Sequence, residues 1–141
     1  MPVESSGQLI GKNLVFIRWP ITLLWTAFTV FLALAPSDDT SFVTRLSQAS
    51  GGTEITDAVG HVMLFGLLTV LWYLPLARRY NHRRVLLWSI VLALTIGIVT
   101  ELTQSFVPDR GTSVLDLAAN SVGVALAAIW IGRWAGRKAQ P

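Results

Sequence analysis

The sequence predicts an all-α membrane protein, a bundle of four transmembrane helices. The first observation behind this is composition: of 141 residues, 52% are hydrophobic and only 13% charged, whereas soluble domains carry about 25% charged residues. The second is segmentation. The apolar residues fall into four stretches of roughly 20 residues, each long enough at ~1.5 Å per residue to cross a hydrocarbon core of about 30 Å. The third is the placement of the basic residues, which stand at the ends of these stretches rather than along one polar face. The formal net charge of +3 therefore points to membrane orientation and not to a nucleic-acid partner. With no cysteine, disulfides, thiolate metal sites and cysteine nucleophiles are excluded.

Residues 1–13 are expected to form a cytoplasmic tail, residues 14–134 the membrane domain and residues 135–141 a second cytoplasmic tail. The first span is 14–35. Arg18 and Trp19 are interfacial anchors, and Pro20 fits only the first turn of a helix, so the helix is expected to begin near Pro20. Ala33-Leu34-Ala35 has the form of a signal-peptide cleavage site. Pro36 directly after it, the length of the apolar run and the further spans argue instead for a retained helix.

Residues 36–56 form the longest polar connection, with net negative charge. Phe42, Val43 and Leu46 fall at helical spacing after the capping candidates Asp39, Thr40 and Ser41, and Gly51-Gly52 ends the pattern. A short interfacial helix in the first outer loop is expected. The second span, 57–77, closes with Trp72, Tyr73 and Pro75 and runs into Arg78-Arg79-Tyr80-Asn81-His82-Arg83-Arg84. An arginine run of this density places its loop in the cytoplasm. The third span, 85–104, then travels outward, and the fourth, 112–134, returns to Arg133, Arg137 and Lys138. Both termini are cytoplasmic on this reading.

Within that topology, pairs of polar residues share helix faces in the outer layer of the bilayer: Asp57 with His61, Glu101 with Gln104, and Asp116 with Asn120. Gly97 continues the Glu101 face, and Gly123 and Ala127 continue the Asn120 face. Small residues let helices approach, so these faces turn inward. An ionised carboxylate facing lipid would cost at least ~2.5 to 3.5 kcal/mol, which supports the same orientation. Between the third and fourth spans, Pro108-Asp109-Arg110-Gly111 is a turn signal, and Thr112 or Ser113 can cap the next helix. Arg110 beside that helix start makes an anion site for a phosphate, a carboxylate or Asp109.

Glu101, Asp116 and His61 are thus candidates for acid-base catalysis, and Asp57, Gln104, Arg110, Ser113 and Asn120 for binding. Asp57, His61, Glu101 and Asp116 also have the donor types that suit a divalent metal. Neither G-x-S-x-G nor H-E-x-x-H occurs, and no cofactor is indicated. The bland alternatives are helix capping by Asp57 and Asp116, an ion pair of Glu101 with Arg110 or His61 that holds helices in register, and helix bridging by Gln104.

Leu34-Ala35-Pro36, Asp57 with His61, Glu101 with Gln104, and Pro108, Arg110, Ser113, Asp116, Asn120 and Gly123, in this order over about residues 20–130, resemble the pattern of the VanZ-like family. Ala58 departs from it, since a basic residue commonly follows the aspartate in that family. The resemblance implies a small multi-pass protein of the bacterial plasma membrane, acting in cell-envelope chemistry and in tolerance of teicoplanin-type glycopeptides. It implies no agreed reaction.

Three functions of different class fit these residues. One is a module binding a phosphorylated envelope lipid or peptidoglycan precursor at the outer leaflet. Another is an enzyme acting on such a lipid-linked substrate. The third is a transporter, which would have to be a homo-oligomer because four spans are few and the acids reach only the outer half of the bilayer. Asp57 and His61 in the first hairpin against Asp116 and Asn120 in the second give that reading a faint internal repeat.

Overall fold

A computed structural model of the protein describes residues 6–35, 45, 48–49, 51, 54–107 and 112–138, with side chains for residues 17–35 of the first segment and up to Arg137 in the last. Among these residues, four helices are long and apolar enough to cross a membrane. They are α1 (Ser6–Leu34), α2 (Glu54–Leu76), α3 (His82–Gln104) and α4 (Val114–Lys138). The protein is a multi-pass, all-α membrane protein. The expected interfacial helix falls largely on residues outside those described.

The start of α1 differs from expectation. The helix begins at Ser6 and passes through Pro20 instead of starting beside it. Proline lacks the N–H that would pair with the carbonyl of Phe16, but an apolar medium offers the flanking backbone no partner outside the helix, so the helix continues on both sides. Polar groups then hold α1 against α2. Arg18 Nη1 donates to Leu74 O at 3.2 Å, Thr22 Oγ1 to Leu71 O at 2.9 Å and Trp25 Nε1 to Leu64 O at 3.3 Å. From the other side, Trp72 Nε1 donates to Thr26 Oγ1 at 3.2 Å. Between helices in lipid the hydrophobic effect supplies little, so such bonds and close packing carry the association.

The most extensive packing is between α2 and α4, which run parallel and meet through glycine. A Cβ on Gly123 would lie 2.3 Å from Val62 O and 3.0 Å from Gly66 N. The two backbones are therefore in direct contact, with no room for any side chain. Around this crossing Phe65, Leu68, Ala93 and Val124 form a buried cluster drawn from α2, α3 and α4. A second cluster of Tyr73, Val85 and Ile131 ties the same helices together at the far end.

One short turn joins α2 to α3. Arg79 and Tyr80 N–H both donate to Leu76 O, and Asn81 Oδ1 accepts Arg83 N–H at 2.9 Å to cap α3. At the opposite end of the bundle α1 and α3 finish while α2 and α4 begin. All carboxylates among the described residues, Glu54, Asp57, Glu101 and Asp116, lie at that end, called the acidic end below. The arginine loop and the last turns of α4 occupy the other. Large exposed residues such as Leu24, Met63, Trp88 and Leu126 form the belt that faces lipid.

Gly123→Ala is expected to destabilise the fold by ~1 to 3 kcal/mol, since the added methyl meets backbone and not a movable side chain. Gly132→Ala, whose Cβ would meet nothing within 4 Å, should be neutral or stabilise by up to about 1 kcal/mol. Unfolding of the two variants in one detergent would show the contrast, and equal behaviour would refute the backbone contact.

Candidate functional site

The α2–α4 crossing decides what meets at the acidic end. His61 immediately precedes Val62, and Asn120 lies one helical turn before Gly123, so the backbone contact draws these side chains together. His61 Nδ1 and Asn120 Oδ1 are 2.9 Å apart. An amide oxygen only accepts, so Nδ1 carries the hydrogen and donates it. Phe65, one turn along α2, lies nearly parallel to the imidazole, with centroids 6.4 Å apart and an interplanar angle of 6°. Asn120 is 1% exposed, so the ring is oriented from inside the bundle.

The other ring nitrogen faces an acid. His61 Nε2 lies 3.8 Å from Asp116 Oδ2, and the two side chains are 15% and 23% exposed. That separation is too long for a direct hydrogen bond. In the neutral ring, with Nδ1 protonated, Nε2 presents a lone pair to the carboxylate, and two acceptors face one another. A proton on Nε2, or a hydrogen-bond donor reaching both atoms from outside, resolves the conflict. This partly exposed slot is the chemically open part of the cluster.

Glu101 closes the cluster on the α3 side. It is 5% exposed, and its Oε1 accepts the backbone N–H of Ser113. That N–H belongs to the residue that caps α4: Ser113 Oγ accepts Asp116 N–H at 3.2 Å, while Ser113 O accepts Leu117 N–H at 3.1 Å. Of the two capping candidates, Thr112 and Ser113, the structure selects Ser113. The Glu101 carboxylate thereby sits at the positive end of the α4 dipole, which stabilises its charge in a buried place.

Of the residues singled out from the sequence, His61, Asp116 and Asn120 come together, and Glu101 joins them through the start of α4. Gln104 turns elsewhere: its Nε2 donates to Ala33 O at 2.7 Å and joins α3 to the last turn of α1. Asp57 is exposed on the first turn of α2. Arg110, and with it the anion site expected in its turn, lies outside the described residues. Among the described residues, no group of three or more His, Asp and Glu converges as a metal site; Asp57, His61, Glu101 and Asp116 are not gathered into one ligand set. Sequence reading missed Phe65, Gly66 and the Ala33 carbonyl. Phe65 was accessible from its spacing to His61, whereas a main-chain carbonyl has no signature in the residue type.

Together these features define a polytopic membrane protein with a polar cluster set inside one end of its helix bundle. The model of the VanZ/LLP1 family matches residues 13–134, and the chain belongs to that family. Neither a curated protein nor a solved structure matches it.

Glu101→Gln retains an oxygen for the Ser113 N–H and is expected to fold with little loss. Glu101→Leu leaves that donor unpaired and should cost ~1 to 3 kcal/mol. Thermal unfolding in detergent distinguishes them; equal loss in both would mean that the charge, and not the bond to the helix start, supports the fold.

Proposed function

We propose that this VanZ/LLP1-family chain binds the polar head of a lipid-linked envelope molecule at the acidic end of its bundle, and that this end faces outward from the bacterial plasma membrane. The observation that carries the reading is the slot between His61 Nε2 and Asp116 Oδ2, partly exposed and oriented from behind by buried Asn120. It is lined by acceptors, so it favours groups that bring hydrogen: hydroxyl, amide or ammonium. Those are the groups of a sugar or peptide head. Acyl chains would lie along the apolar belt. Sequestering such a precursor would connect the site to glycopeptide tolerance, the role that resemblance to the family suggests.

The same slot also supports a second reading, general acid-base chemistry on the bound head, because an imidazole held by an amide and facing a carboxylate can pass a proton. The two readings differ in what is recovered. Mass spectrometry of lipids co-purified with the wild type should find one precursor class enriched, and that enrichment should fall at least about tenfold in His61→Ala and Asp116→Asn, as expected when about 1.4 kcal/mol or more of binding is lost. Unchanged recovery in both variants would refute the binding site. Conversion of the added precursor by wild type but not by His61→Gln would favour the enzyme.

Orientation is checked separately. The chain has no cysteine, so Val114→Cys, 87% exposed at the acidic end, should react with a membrane-impermeant maleimide on intact spheroplasts. Gly136→Cys at the arginine end should react only after lysis. The reverse pattern would invert the proposed topology.

A further inference from the structure

The arginine end has a chemistry of its own. Arg83 and Arg84 sit in the first turn of α3, and Arg133 and Arg137 lie one turn apart near the end of α4; all four are exposed. The buried cluster of Tyr73, Val85 and Ile131 holds these two helix ends side by side, because Val85 follows Arg84 directly and Ile131 stands two residues before Arg133. Packing thus brings two helix ends together, and each carries two exposed arginines.

Three features distinguish this arrangement from a simple orientation signal. Every described carboxylate lies at the opposite end of the bundle, so no described acid can neutralise these arginines. Arg83 and Arg84 also stand at a helix start, where the macrodipole disfavours cations. Orientation needs positive charge in the loop but not in that turn. Finally, Arg84, Arg133 and Arg137 each have exposed aromatic surface one turn nearer the middle of the membrane. Trp88, 67% exposed, follows Arg84 by one turn, and Trp130 precedes Arg133. Trp130 and Trp134 stack with centroids 6.5 Å apart. Cations above an apolar aromatic ledge match the negative charge of a phosphate above acyl chains.

We propose that the start of α3 and the end of α4 form a binding site for the phosphate of an anionic membrane phospholipid, independent of the polar cluster at the acidic end. Native mass spectrometry of the purified full chain, with phosphatidylglycerol and phosphatidylcholine of matched acyl chains in competition, tests it. The wild type should retain phosphatidylglycerol preferentially. Arg83→Gln with Arg84→Gln, and separately Arg133→Gln with Arg137→Gln, should each lower that preference about thirtyfold, since each removes two basic groups that are drawn to an anionic surface by ~1 kcal/mol apiece. Arg83→Lys with Arg84→Lys keeps the charge and should keep the preference. An unchanged preference in both glutamine pairs overturns the proposal, as does a lysine pair that loses it as fully as the glutamine pair, since the loss would then come from folding and not from charge.

Discussion

The contact on which the acidic end depends is made without side chains. Where Gly123 lies against Val62 O and Gly66 N, α2 and α4 approach as closely as two backbones can. This closeness lets a histidine on one helix and an asparagine on the other, each within a turn of the crossing, form a 2.9 Å hydrogen bond. A methyl group at Gly123 would push the helices apart, and the imidazole would lose its buried partner before any residue of the cluster itself had changed. In lipid, where apolar side chains gain little by leaving the solvent, the dispersion energy of such a close crossing is a main source of association. The stripe of small residues and the site are therefore two consequences of one piece of packing.

Burying polar groups beside that crossing costs energy unless each finds a partner, and the chain meets this in two ways. Helical hydroxyls turn back on their own helix: Thr69, Ser89 and Thr100 each donate to the carbonyl four residues earlier. The groups at the acidic end use helix termini instead. Glu101 takes a free N–H at the start of α4, and Gln104 gives a hydrogen to the carbonyl of Ala33 at the end of α1. Helix ends are where unpaired backbone groups remain, so these side chains complete the termini and gain a buried position in return. His61 Nε2 and Asp116 Oδ2 are met in neither way, facing each other beyond hydrogen-bonding distance and in partial contact with the surroundings.

Much of this was legible in the sequence, for physical reasons that differ by element. The spans followed from length and hydropathy, because a bilayer imposes both. That the faces of His61 and of Asp116 with Asn120 turn inward at one end followed from helical spacing combined with the cost of facing lipid; that His61 bonds Asn120 and faces Asp116 did not. The cap on α4 followed from hydroxyl chemistry, although Thr112 and Ser113 could not be told apart without backbone geometry. The helical run from Ser6 through Pro20 was not legible, because proline's rule was learned in water, where a broken backbone bond can find solvent. Nor was the partner of Gln104, a carbonyl, or the part of Gly66, which becomes visible only once the helix opposite it is known.

The asymmetry of the two ends follows from how the helices alternate. At the acidic end α2 and α4 begin, and their positive dipole ends favour Glu54, Asp57 and Asp116 in their first turns. At the other end α4 finishes, and its negative dipole end favours Arg133 and Arg137. Local helix electrostatics thus account for most of the separation of charge along the bundle. They do not account for Arg83 and Arg84, which stand against the dipole of α3, where the Asn81 side chain caps the Arg83 N–H. Nor do they account for His61 and Asp116, held near each other with too few hydrogens to satisfy both. In each case the helix supplies the position but not the counter-group. Among the described residues, these two places leave an electrostatic need unmet: negative charge at one end and hydrogen at the other.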